Sequence, residues 1–168
     1  MDDDLNSKPN LNLARKLARQ LLSDSHITSA PVLLRNVAKY VPDLSIEGKE
    51  FEDEISGLQI SYKGKYYICY NASHPVKRNR FTVAHEIAHI MLGHTTSCRK
   101  NNLGSKDPAE AEADQFAAEL IMPLSVLKTA ISTTKNVKDL ASLFWVSKEA
   151  MSWRIIETKL FNKLNSWG

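Results

Sequence analysis

An α+β fold, mainly helical with one small antiparallel sheet beside a histidine-bearing helix, is what this 168-residue sequence predicts. Three observations carry the prediction. Apolar residues recur at helical spacing from Leu11 and again from Phe81, the period falls to two between Leu44 and Ser73, and from Leu124 onward short helical runs alternate with polar turns. The length allows one core, with room for a small satellite.

Residues 1–10, MDDDLNSKPN, read as a disordered leader in which Asp2, Asp3 and Asp4 are solvated charge. LNLARKLARQLL then sets Leu13, Ala14, Leu17 and Leu21 on one face of a first helix. VLLRNVAKYV is a second helix, opened by Pro31 and closed by Pro42. LSIEG, ISGLQISYKG and KYYICYN are strands punctuated by Gly48, Gly57 and Gly64, with Lys63 and Gly64 turning a hairpin. ASHPVKRNR leads into the histidine-bearing helix, which Gly93 ends. A polar loop, HTTSCRKNNLGSKDP, reaches Pro108, where another helix starts and runs to LIMP. The remainder is helical, broken at STTKN and WVS. The predicted organisation is a leader (1–10), a main domain (11–123) and a C-terminal helix-turn-helix-like segment (124–168) packed on it.

No run approaches the ~18 apolar residues of a membrane span, and the acidic start is unlike a secretory signal, so a cytoplasmic location and no membrane partner are expected. Cys69 and Cys98 lack paired metal or redox spacing and read as reduced thiols. Net charge is +3, too small to imply a nucleic-acid partner by itself. Its distribution is uneven, since residues 124–168 hold 7 basic and 3 acidic side chains.

Within FTVAHEIAHIMLGH, His85 and His89 are four residues apart, so on a helix they share one face about 6 Å from each other. Two imidazoles so placed can bind one zinc ion, and Glu86, set to one side, can act as a base on a water held there. With 5 His and 10 Glu in the chain, H-E-x-x-H arises by chance roughly once per hundred such sequences, so the pattern is informative but needs a third ligand. The alternative is two satisfied core histidines. A third ligand in the H-E-x-x-H-x-x-G-x-x-H pattern needs Gly at position 92 and His at 95, whereas the sequence has Leu92, Gly93 and His94. His94 therefore reads as a loop histidine near the site.

In DPAEAEADQFAAELIMP, Glu112, Gln115 and Glu119 form a polar stripe expected to face water. Glu110, Ala113, Asp114, Ala117, Leu120 and Ile121 form the opposite, inward stripe. Two inward carboxylates need partners, because a buried unpaired one costs several kcal/mol. A metal for Glu110 and an imidazole N–H for Asp114 satisfy both, with Glu112 as the competing third ligand.

RFTVAHEIAHIMLGH and EAEADQFAAELIMP together resemble the ImmA/IrrE family of zinc metallopeptidases, over about Ala30 to Trp153. The resemblance implies that His85, His89 and Glu110 bind zinc, with manganese as an alternative, and that Glu86 is general base and acid. It also implies a protein substrate, a helix-turn-helix type repressor encoded nearby. A toxin of a paired operon would use the same chemistry. An oxyanion donor is expected among Tyr66, Tyr67, Tyr70, His74 and His94, and the sequence does not choose between them.

Lys77, Arg78 and Arg80 read as a solvated approach to the histidine helix, and Trp145, Trp153 and Trp167 as core of the C-terminal helices. The basic tail also permits a rival class, a DNA-binding regulator with structural zinc. Three ligands with an adjacent Glu favour an open catalytic site over the closed, Cys-rich structural kind, so nucleic acid is not the expected partner.

Overall fold

Polar side chains start four of the helices by taking up backbone N–H groups that have no partner in the first turn. Asn10 accepts from Leu13 N to begin α1 (Leu11–Asp24), and Asp107 accepts from Ala109 N at α4 (Pro108–Ile121), whose first residue is proline. Asn136 and Ser147 do the same for α6 (Val137–Phe144) and α7 (Lys148–Glu157). Between α4 and α6 lies α5 (Leu124–Thr133). The second expected helix is short, α2 (Leu34–Val37) followed by a 3-10 turn, Ala38–Tyr40. This computed structural model describes residues 8–94, 98–100 and 107–164, so most of the expected leader, most of the loop after His94, and Trp167 lie outside the described residues. Among the described residues, no single helix is long and apolar enough to cross a membrane.

The strands β1 (Leu44–Lys49), β2 (Ile55–Tyr62) and β3 (Lys65–Asn71) appear where the period changes, and β4 (Cys98–Lys100) joins them in the order β1-β3-β2-β4. Lys63 and Gly64, at φ 49° and 75°, form the hairpin turn between β2 and β3. The sheet is mixed rather than wholly antiparallel. Strand β3 inserts between β1 and β2 and runs parallel to β1, with Ile46 opposite Ile68, while β2 pairs antiparallel with both β3 and β4. Alternation along a strand does not reveal the direction of its neighbour, which is why the parallel pair was invisible in the sequence. The buried Asn71 holds the β1–β2 connection, donating from Nδ2 to the carbonyls of Phe51, Glu52 and Ile55 at 3.2, 3.2 and 3.0 Å.

Helix α3 (Val76–Leu92) packs between this sheet and α4, and every residue from Thr82 to His89 is buried. It begins one turn earlier than expected and takes in the basic cluster. Arg78 donates to Ser56 Oγ at 3.0 Å, and Arg80 to the carbonyls of Val32 and Trp145 at 3.0 and 3.2 Å. These two arginines dock the helix instead of merely being solvated. Gly57 sets the closeness of sheet and helix, since a Cβ there would lie 2.5 Å from Thr82 Cγ2 and 3.0 Å from the Cys69 carbonyl. One buried apolar cluster runs from Ala14 and Leu21 of α1 through Ile68, Ile87 and Phe116 to Leu140, Phe144 and Ile155. On α1 the buried face is Ala14, Ala18, Leu21 and Leu22, with Leu13 exposed.

Two further expectations are overturned. The stripe of Glu112, Gln115 and Glu119 does not face water, because α1 lies along that side of α4 and supplies donors to it. Arg15 Nη2 reaches Gln115 at 3.1 Å, and Glu119, 1% exposed, is held by Arg19 at 2.9 Å and by the buried Arg154 of α7. Trp145 and Trp153 are not core residues. They are 49% and 66% exposed, Trp145 carrying Arg80 over its ring at 5.6 Å.

Arg154→Ala leaves Glu119 buried with the half-exposed Arg19 and the Leu124 backbone N–H, and is expected to cost about 3 kcal/mol in urea unfolding. Gly57→Ala is expected to lose about 1–3 kcal/mol by pushing β2 off α3, measured in the same way, and Thr82→Ser in that background should recover part of the loss.

Candidate metal centre

Helix α3 presents His85 and His89 one turn apart, and α4 crosses it so that Glu110, in its first turn, meets both rings. Glu110 Oε2 is 3.2 Å from His85 Nε2, Glu110 Oε1 is 3.3 Å from His89 Nε2, and the two Nε2 atoms are 3.0 Å apart. A group of three ligand atoms results, all within 4.8 Å of one another. Tetrahedral ligation at about 2.0–2.1 Å holds donor atoms about 3.3 Å apart, so the three residues fit a small divalent ion. Exposure falls from 28% at the Glu110 side chain to 2% and 0% at His89 and His85, so the site opens to solvent on one side only. The two imidazoles beside Glu110 hold its carboxyl well below the usual carboxylate range, against the opposing effect of burial.

His85 Nδ1 lies 2.8 Å from Asp114 Oδ1, one helical turn beyond Glu110. A neutral His85 that offers Nε2 to a metal carries its proton on Nδ1 and donates it to Asp114. Asp114 is 52% exposed at its side chain, so it meets His85 from the rim of α4 and not from a buried stripe. Glu86 is fully buried beside His85 on the same helix.

The remaining candidates are dispersed. The buried His74 has its Nε2 3.2 Å from the Asp53 carbonyl and 3.4 Å from Asn71 Nδ2, supporting the β1–β2 connection. Tyr70 lies across Gly48 on β1, whose added Cβ would come within 3.0 Å of the ring. Tyr66 faces Leu44 and Ser61 near the hairpin, and Tyr67 is 37% exposed on the same strand. No hydrogen bond among the described residues joins His74 or these tyrosines to the triad. His94 sits behind His89, with its Nδ1 2.9 Å from His89 Nδ1. Glu112 is not among the three convergent ligands. Asn71 escaped the sequence reading, and its position at the end of a strand just before His74 was the only local signal it carried.

The fold and the site together describe an α+β protein with an H-E-x-x-H helix and a His₂Glu group capable of holding a metal. The chain belongs to the Peptidase_M78 family, the IrrE N-terminal-like domain, which it matches over residues 46–155. It is 29% identical over 137 residues to the "Uncharacterized immunity region protein 2" of Bacillus phage phi105, covering 80% of this chain and 84% of the phage protein. A solved structure, a Mycobacterium tuberculosis transcriptional regulator, shares the fold with a TM-score of 0.63 at 12% identity, over 86% of this chain. The match spans 46% of that regulator, so this chain corresponds to under half of it.

Elemental analysis of the purified protein is expected to find about one divalent ion per chain, with His85→Ala and Glu110→Ala both losing it. Full metal content in either variant would contradict the assignment of these ligands.

Proposed function

We propose that this chain is a zinc-dependent endopeptidase that cuts a protein substrate, a helix-turn-helix type repressor encoded nearby, and so relieves repression. The observation that carries this reading is the convergence of His85 Nε2, His89 Nε2 and the Glu110 carboxylate in a site open on one side, with Glu86 adjacent on the same helix. Membership of a peptidase family supports the reaction class.

His85, His89 and Glu110 hold the ion, zinc by ligand type and manganese as the alternative occupant. When bound, it supplies Lewis acidity that makes a water more acidic and polarises the scissile carbonyl. Glu86 takes a proton from the attacking water as its oxygen bonds to the carbonyl carbon, then delivers that proton to the amine nitrogen as the C–N bond breaks. Asp114 keeps His85 in the tautomer that presents Nε2.

The helices α6 and α7, joined by the short turn after Phe144, answer to the helix-turn-helix-like segment expected from sequence, but the chemistry of α7 opposes a DNA-binding role. Arg154, the only arginine of α7, is turned inward to Glu119 and to the Met122 carbonyl at 3.1 Å. The exposed side of α7 instead carries Glu149, Trp153 and Ile156 besides Lys148. A phosphate-tracking surface needs several outward cations.

Incubating the metal-loaded protein with the neighbouring repressor and following intact mass should reveal one cut. Glu86→Gln is expected to retain the metal while slowing cleavage by about 10²–10⁴-fold. Equal cleavage by wild type and Glu86→Gln would remove Glu86 from the role of base.

A further inference from the structure

We infer that His94 and Glu112 form a positioning relay for His89, the counterpart of what Asp114 does for His85. The inference rests on the reading of His85, His89 and Glu110 as metal ligands.

The relay begins at the end of α3. Gly93 adopts the left-handed conformation, φ 71°, and the chain reverses with Gly93 N donating to Ile90 O at 3.2 Å and His94 N to His89 O at 2.9 Å. That reversal returns the His94 side chain along the helix until its Nδ1 stands 2.9 Å from His89 Nδ1. On its other side, His94 Nε2 is 3.0 Å from Glu112 Oε2. Glu112 Oε1 in turn accepts the backbone N–H of Asn10 at 2.6 Å, at the start of α1.

Only one arrangement of protons satisfies every bond while His89 offers Nε2 to a metal. His89 carries its proton on Nδ1 and donates to His94 Nδ1, which must then be bare. His94 therefore carries its own proton on Nε2 and donates to the Glu112 carboxylate, whose second oxygen is already occupied by Asn10. All four groups are then paired, each donor with one acceptor. With both ring nitrogens engaged, His94 has none left to touch substrate, which separates it from the loop histidine the sequence suggested.

The two ligand histidines are thus braced differently. Asp114 meets His85 directly, from the helix that also supplies Glu110. His89 is braced through an intermediate imidazole, and its carboxylate is steadied by α1, more than a hundred residues away from Glu112 along the chain. Glu112, considered from sequence as a metal ligand, acts two bonds behind one. Outer partners of ligating histidines fix ring orientation and tautomer, and their loss costs about 10–100-fold in metal affinity.

The test is zinc affinity measured by competition with a chromophoric chelator, alongside thermal unfolding of the metal-free protein. His94→Ala and Glu112→Ala are expected to bind zinc about 10–100-fold more weakly than wild type, with little change in metal-free unfolding. His94→Gln should recover most of the loss, because a carboxamide can accept from His89 and donate to Glu112 in the same sense as the imidazole. Wild-type affinity in both alanine variants would overturn the relay. So would an equal loss in His94→Ala and His94→Gln that tracks a lowered unfolding temperature, which would make His94 a packing residue. Failure of the wild type itself to bind zinc would instead strike the metal-site reading on which the relay stands.

Discussion

Two imidazoles and a carboxylate cannot remain in the middle of a buried helix without partners, and this requirement organises the molecule. His85, Glu86 and His89 lie in an eight-residue run of α3 that is wholly buried, between a sheet on one side and α4 on the other. Burying such groups unpaired would cost several kcal/mol each, a large part of the stability of a domain this size. Helix α4 brings the compensation. Glu110 meets both histidine rings and Asp114 meets His85, so the contact between α3 and α4 is at once a packing interface and the wall of the candidate metal centre.

Helix α4 also carries a second polar face, and the two faces tie the site to distant parts of the chain. Glu110 and Asp114 turn toward α3, whereas Glu112, Gln115 and Glu119 turn toward α1 and α7. Glu119 is clamped by Arg19 and Arg154, a buried ionic cluster whose removal on one side would leave a charge stranded. The angle at which Glu110 approaches the two histidines therefore depends on how α1 and α7 seat α4. That arrangement suits a centre whose ligands must stay aligned within fractions of an ångström.

Geometry and family membership agree on the kind of chemistry this chain is equipped for. The phage relative and the mycobacterial regulator differ in how far they extend: one matches this chain along most of its length, the other continues well beyond it. The C-terminal helices occupy an intermediate place. They are two short helices joined by a tight turn, their arginine is turned inward to Glu119, and Trp153 and Ile156 remain outside. Shape alone is a poor guide to function there, because recognition depends on which side chains face outward.

What the sequence determined by itself was what depends on reach of a few residues. The four-residue step from His85 to His89 puts both rings on one face whatever surrounds the helix, Lys63-Gly64 turns a hairpin, and Gly93 ends α3. Glu110, expected to face inward, does lie against both histidines, but the two stripes of α4 differ from expectation: Asp114 is half-exposed and the stripe of Glu112, Gln115 and Glu119 is packed. Periodicity sorts polar from apolar positions, and cannot say that a polar face will be covered by arginines 100 residues earlier and 35 later in the chain. The tertiary structure alone decided that β1 lies parallel to β3, that Trp145 and Trp153 stay outside, and that His94 stands behind His89. Each of these depends on which segments meet in space, and pairing between distant segments leaves no mark on the local spacing of residues.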